Sequence, residues 1–199
     1  MARLLAQRLG YAYIETGAMY RAVALEAARR GIFTSDAEAL ERLARKLPMR
    51  FVPTAEGNRL MLGEEDVTDA VRTPEITEAA SVVSTVPGVR RALVERQRGF
   101  GSEGKIIMEG RDIGTKVFPD AEVKVFLDAA PEVRGERRFI QVGDRRLEQT
   151  IHEMRERDRR DRERAESPLV QAPDAVYLDS SKMTEMEVVD IILELLRRT

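Results

Sequence analysis

The chain has no cysteine and a single histidine. Without thiols there are no disulfides and no thiolate zinc sites, which fits a reducing cytoplasm. One histidine cannot build a multi-histidine metal centre, and any Ser-His-Asp triad would have to use it. That residue, His152, stands in an Arg/Glu-rich helical run and reads as a solvated helix position. No run of about eighteen apolar residues occurs, so no membrane partner is expected. The first residues carry one Arg and a short apolar stretch without a cleavage pattern, so no signal peptide is read. The net charge of −2 offers no global field to recruit nucleic acid, and any anion site must be local.

What is present is an ordinary globular balance. Of 199 residues, 43% are apolar and 34% charged, which suits one compact α/β domain with room for a small inserted lobe. Residues 2–9 read as a helix stopped by Gly10, too short to stand alone and without a cap before it. A strand is expected over 11–14 and a helix over 17–30, with Met19, Val23 and Ala27 inward and Gly31 as its stop. Ser35 or Asp36 caps a helix reaching Leu47. Segments 50–53 and 59–62 flank Glu56-Gly57-Asn58 as a hairpin. Helices over 74–85 and 87–100 each carry a proline near the start. Strands follow at 105–109 and 122–128, then a helix near Pro131, a charged helix from 147 to 164, a strand at 175–179 and a helix at 184–198. Strand-helix alternation in both halves argues for a parallel sheet covered on both faces, with segment 48–85 as an insert.

Three stretches carry chemistry. Glu15-Thr16-Gly17-Ala18-Met19-Tyr20-Arg21 follows a strand and opens a helix, where backbone N–H groups and the dipole favour an anion. Thr16 offers a hydroxyl and Arg21 a fork for phosphate. An ordinary strand-to-helix turn with Arg21 in water reads the same way. Glu109-Gly110-Arg111-Asp112-Ile113-Gly114-Thr115 ends an apolar strand, and ligands in open α/β sheets sit beyond such ends. The rival there is a surface turn with a self-paired ion couple. In the run 155–164, Arg157, Asp161 and Arg164 share one helix face, as arginines stabilising a phosphoryl-transfer transition state would. A solvated helix laced with i,i+4 pairs is the alternative.

Taken together the motifs resemble the bacterial cytidylate kinases. The text that carries the resemblance is Thr-Gly-Ala-Met-Tyr-Arg at 16–21, Gly-Glu-Glu-Asp-Val-Thr at 63–68, Val-Arg-Thr-Pro-Glu at 71–75 and Ala-Ala-Ser at 79–81. It continues as Glu-Gly-Arg-Asp-Ile-Gly-Thr at 109–115, Val-Phe-Pro-Asp-Ala at 117–121, Glu-Arg-Asp-Arg-Arg-Asp-Arg at 156–162 and Ser-Pro-Leu at 167–169. The resemblance covers essentially the whole chain in order. It implies a cytoplasmic, monomeric nucleoside monophosphate kinase that moves the γ-phosphate of ATP, bound with Mg²⁺, to CMP or dCMP. By the same resemblance Thr16, Tyr20 and Arg21 border the CMP phosphate and sugar, while Ser81, Arg90 and Asp112 read the cytosine. Arg111 binds phosphate, Arg157 and Asp161 hold the ribose, and Arg164 reaches the CMP phosphate. Arg111, Arg157 and Arg164 are the catalytic set, and no protein metal ligand is implied.

The implied fold is a P-loop NTPase-like three-layer α/β/α domain over 1–199. It has a parallel sheet, an inserted CMP-binding lobe at 48–85 and a lid at 141–166. The lid entry, Gln141-Val142-Gly143-Asp144, is a few residues shorter than the resemblance leads one to expect. In one respect the chain departs from the family pattern. The family opens with a strand and a Gly-x-x-x-x-Gly-Lys-Ser/Thr loop, whose N–H groups cradle the ATP phosphates, whose Lys bridges them and whose Ser/Thr holds Mg²⁺. The 199 residues contain neither, and Gly104-Lys105 runs into Ile106. The expectation is a gene that continues upstream of Met1 and a slow enzyme from these residues alone. Three rivals stand beside the kinase. They are a kinase for another nucleoside monophosphate, a CMP-binding protein without transfer activity, and a helical interaction protein built around 145–164.

Overall fold

The computed structural model describes residues 1–54, 57–142 and 147–198. The hairpin tip at Glu56 and the lid entry at Gly143-Asp144 lie outside the described residues. Helix α1 (Ala2–Leu9) ends on Gly10, whose φ of 65° is the left-handed turn that glycine takes most readily. Strand β1 (Ala12–Glu15) runs directly into α2 (Thr16–Arg29), which buries Met19, Val23 and Ala27 as their spacing requires. Helix α3 (Ala37–Lys46) is capped by Asp36, which accepts from the Ala39 N–H at 2.9 Å; Ser35 is not the cap. Strands β2 (Met49–Thr54) and β3 (Gly57–Leu62) pair antiparallel, with Met49 opposite Leu62, and a two-residue β4 (Glu65–Asp66) extends them. After a single 3₁₀ turn (Ala70–Arg72), Thr73 caps α4 (Pro74–Val83). Helix α5 (Pro87–Phe100) follows, and both α4 and α5 carry proline at the first turn.

Strand β5 (Ile106–Glu109) is followed by a π turn (Ile113–Val117). Strand β6 (Val125–Asp128) starts three residues later than the expected strand over 122–128. Helices α6 (Pro131–Val142) and α7 (Leu147–Glu163) pack on each other, β7 (Val176–Asp179) returns beside β6, and α8 (Glu185–Leu196) starts on a Thr184–Glu187 capping box. Within α7, His152 is exposed, as its charged surroundings imply.

The α/β class and the parallel pairing are as expected, with one difference in continuity. β1 pairs parallel with β5, and β6 pairs parallel with β7, but the described residues form no ladder between β5 and β6. The parallel strands therefore stand as two pairs, and the antiparallel β2-β3-β4 sheet is separate from both. The main core lies between α2, α3, α4 and α5, around Met19, Val23, Leu40, Val83, Val89 and Leu93. It supports the helix faces that meet the strand ends.

Candidate active site

The C-terminal ends of β1 and β5 open into a cleft of about 2540 Å³. All ten side chains singled out from the sequence line it: Thr16, Tyr20, Arg21, Ser81, Arg90, Arg111, Asp112, Arg157, Asp161 and Arg164. They come from α2, α4, α5, the β5 end, α7 and the turn after it, so only the fold brings them together.

At one end the buried carboxylate of Asp112 meets Arg90. The Arg90 Nη2 lies 2.6 Å from Asp112 Oδ2, and Nη1 donates to the Ser84 carbonyl at 3.2 Å. Arg90 is 1% exposed, and its guanidinium carbon sits 5.2 Å from the Tyr20 ring centroid, over the π face. Its Nε has no partner among the described residues, and neither do the Ser81 hydroxyl and the Tyr20 hydroxyl. Buried polar atoms almost always find partners, so this group of orphaned donors and acceptors points to a polar ligand. Burial pushes the Tyr20 phenol up to about 12, with Asp112 adding to the rise and Arg90 and Arg164 opposing it.

At the other end the arginines gather. Arg111 donates its Nε to Asp161 Oδ2 at 2.9 Å, and Arg164 donates Nη1 to Asp161 Oδ1 at 2.9 Å, so one carboxylate holds two guanidinium groups. Arg164 also donates Nε to the Ser167 carbonyl, leaving Nη2 buried and unpartnered. Arg21 pairs with Glu15 at 2.6 Å, and its Nε is likewise left over. Arg157 makes no ion pair with a described residue. Burial holds its guanidinium down at about 10, and the neighbouring Arg111, Arg21 and Arg138 push the same way. Burial also lowers Arg164, with Arg90 contributing. A guanidinium otherwise stays charged at any ordinary pH, so this crowding is a strong local positive field.

Thr16 is placed differently from a free donor. Its hydroxyl donates to the Glu109 carbonyl at 2.8 Å, tying the start of α2 to the end of β5 and leaving its lone pairs for the cleft. Gly110 makes this possible. A Cβ there would lie 2.4 Å from Thr16 Oγ1 and 2.9 Å from Ile113 Cδ1. Gly110→Ala should therefore break the Thr16 bond and lower unfolding stability by about 1–3 kcal/mol. Urea titration of the variant against the parent checks this, and unchanged stability would show that the motif relaxes freely.

The family model for cytidylate kinase matches residues 1–198. The chain belongs to the cytidylate kinase family. It is 48% identical to a cytidylate kinase of Solibacter usitatus, over 99% of this chain and 86% of that protein. It is 49% identical to one of Geobacter sp., over 100% of this chain and 85% of that protein. A third, from Pelotomaculum thermopropionicum, is 48% identical over 97% and 88%. Membership makes the chain a phosphotransferase, and the nucleotide-binding character read from the motifs agrees with the cytidylate kinase assignment.

For a cytidylate kinase, the structure adds residues that the motifs did not mark. Arg98 on α5 donates to the Lys116 carbonyl at 2.6 Å and the Val117 carbonyl at 3.2 Å, fixing the turn after Arg111-Asp112 from behind. Asp158, buried on α7, pairs with Arg134 of α6 and faces Arg111 at 4.0 Å. Tyr13 donates to Glu109 at 2.7 Å, and burial raises the Glu109 carboxyl against that bond. Of these only Asp158 is a buried charge, and a buried charge reads in sequence like an exposed one, so no periodicity signals it. Among the described residues no helix is long and apolar enough to cross a membrane.

Proposed function

We propose that this protein transfers the γ-phosphate of ATP to CMP or dCMP, forming CDP or dCDP. The observation that carries this reading is the arginine cluster. Arg21, Arg111, Arg157 and Arg164 converge on one cleft, where burial first, and then the neighbouring Arg111 and Arg21, lower the proton affinity of Arg157 against the pull of Asp161. Such crowding raises the energy of the protein alone and is relieved by a multiply charged anion. In phosphoryl transfer the developing charge spreads over equatorial oxygens, and fixed guanidinium groups stabilise it without covalent chemistry.

In this reading Arg111 and Arg164 bind phosphate, and Arg157 holds the ribose with Asp161. Asp161 aims two of these arginines as well as meeting the ribose. Thr16, Tyr20 and Arg21 border the acceptor's phosphate and sugar, and Ser81, Arg90 and Asp112 meet the base. Mg²⁺ enters as part of the donor substrate, keeping most of its ligands from phosphate and water. The antiparallel β2-β3-β4 segment within 48–85 acts as the acceptor lobe, and 141–166 as the lid. The two parallel pairs are read as halves of one P-loop-type sheet. The protein is read as a cytoplasmic monomer.

A second reading is a protein that binds CMP without transferring phosphate to it. Calorimetric titration with CMP, beside an assay of CDP formation from MgATP, separates the two. Binding with turnover of about 1–100 per second supports the kinase. Binding without turnover supports the second reading. No binding of CMP sinks both.

A further inference from the structure

Gln97 is a buried polar group that nothing above employs. It is 1% exposed, and neither its Oε1 nor its Nε2 has a hydrogen-bond partner among the described residues. A sealed amide with both ends unpaired carries its full desolvation cost, where a leucine of similar size would pack with none. Gln97 stands seven residues from Arg90 on α5, two turns along the same buried face. Tyr20 relates to both. Its ring lies under the Arg90 guanidinium, its hydroxyl is itself unpartnered, and the Gln97 amide acts on that hydroxyl as a donor does, favouring the phenolate against burial. Gln97 does not line the cleft, whereas Tyr20 and Arg90 do.

We infer that Gln97 is a positioning residue for acceptor recognition: its amide holds the Tyr20 hydroxyl, and through the Tyr20 ring it fixes the Arg90 guanidinium that faces the base. The inference rests on assigning the cleft to a cytidine monophosphate. It also explains why an amide is kept where the core would favour a hydrocarbon. The stability given up there is returned as a fixed orientation of Arg90, whose other hydrogen-bond partners among the described residues are the Ser84 carbonyl and Asp112.

The test uses the full chain with Gln97→Leu and Gln97→Met, each alone and combined with Tyr20→Phe. Melting temperature and affinities for CMP and UMP are measured. Both single variants are expected to melt at or above the parent, yet to bind CMP about five- to tenfold more weakly with a smaller CMP/UMP preference. In the Tyr20→Phe background the same changes should cost less than about twofold, because the bond they remove is already gone. Affinity for CMP within about twofold of the parent in both single variants would overturn the inference. So would an undiminished loss in the Tyr20→Phe background, or failure of both variants to fold, since each makes Gln97 a structural residue only. A parent that binds no CMP instead overturns the assignment of the cleft, which is a distinct result.

Discussion

Arg111→Lys is expected to weaken CMP binding by about 30- to 100-fold, although the charge is kept. The Arg111 Nε is already committed to Asp161 at 2.9 Å, which leaves the two terminal nitrogens to fork onto phosphate. A lysine has one nitrogen on a flexible stem and cannot hold Asp161 and a phosphate in the same geometry. Each charge-assisted hydrogen bond lost contributes about 1.5–3 kcal/mol, and about 1.4 kcal/mol is tenfold in affinity. Arg159→Ala is the matched control. Arg159 is on the exposed side of α7, paired with Glu156 at 2.7 Å and Glu163 at 3.4 Å, where ion pairs contribute about 0–1 kcal/mol. Its CMP affinity should stay within about twofold of the parent. Calorimetry on the three proteins decides the matter, and equal losses in both variants would mean that only net positive charge counts.

Asp112→Asn should bring down the preference for CMP over UMP, expected to be at least about a hundredfold in the parent, by at least tenfold. Cytosine presents an amino donor at N4, and uracil an acceptor at O4. A carboxylate accepts from the first and repels the second, as Asp and Glu do when reading cytosine in nucleic acid. The amide of Asn can turn its NH₂ to uracil. Asparagine is the informative substitution because Asp112 is paired with fully buried Arg90. Alanine would strand that charge at a cost of about 3–5 kcal/mol and confuse folding with recognition. Affinities of parent and variant for CMP and UMP give the ratio. If both substrates weaken equally, Asp112 is structural and the base is read elsewhere.

Much of the site was legible because its residues sit where backbone chemistry forces them. The glycine-bracketed Arg111-Asp112 ends a strand, Thr16 starts a helix, and Arg157, Asp161 and Arg164 share a face by helical period alone. The cap at Asp36 and the first-turn prolines of α4 and α5 follow from the same local rules. What could not be read depends on tertiary surroundings. The two-residue β4 is too short to leave a period. The π turn at 113–117 exists because the Asp112 carbonyl accepts from Thr115, Lys116 and Val117 together, at 3.3, 2.8 and 3.3 Å, while Arg98 grips its far end. Residues 122–124 are outside β6, although Val123 continues its alternation with Val125. Gln97 and Arg98 stand in Glu95-Arg96-Gln97-Arg98, a run that reads as solvated surface; only the packing of α5 shows one of them sealed inside.

The split between the two parallel pairs has a consequence for how the molecule comes apart. The main apolar cluster spans residues 18 to 93 and includes nothing from β6, β7 or α8. That second region relies on a few buried side chains such as Leu178, Val188 and Val189, and no strand ladder ties it to the first among the described residues. Cooperativity travels through shared packing and shared ladders, so the chain contains two unequal units of opening. Residues 125–128 and 176–179 are therefore expected to exchange their amide hydrogens from partly open forms, at lower free energy than α2 or α5, which native-state hydrogen exchange checks. Arg111 and Asp112 belong to the firm unit, while Asp161 on α7, packed against α6, belongs to the looser one. The Arg111–Asp161 pair therefore spans the boundary, and a ligand that engages both ends of it binds the two units into one.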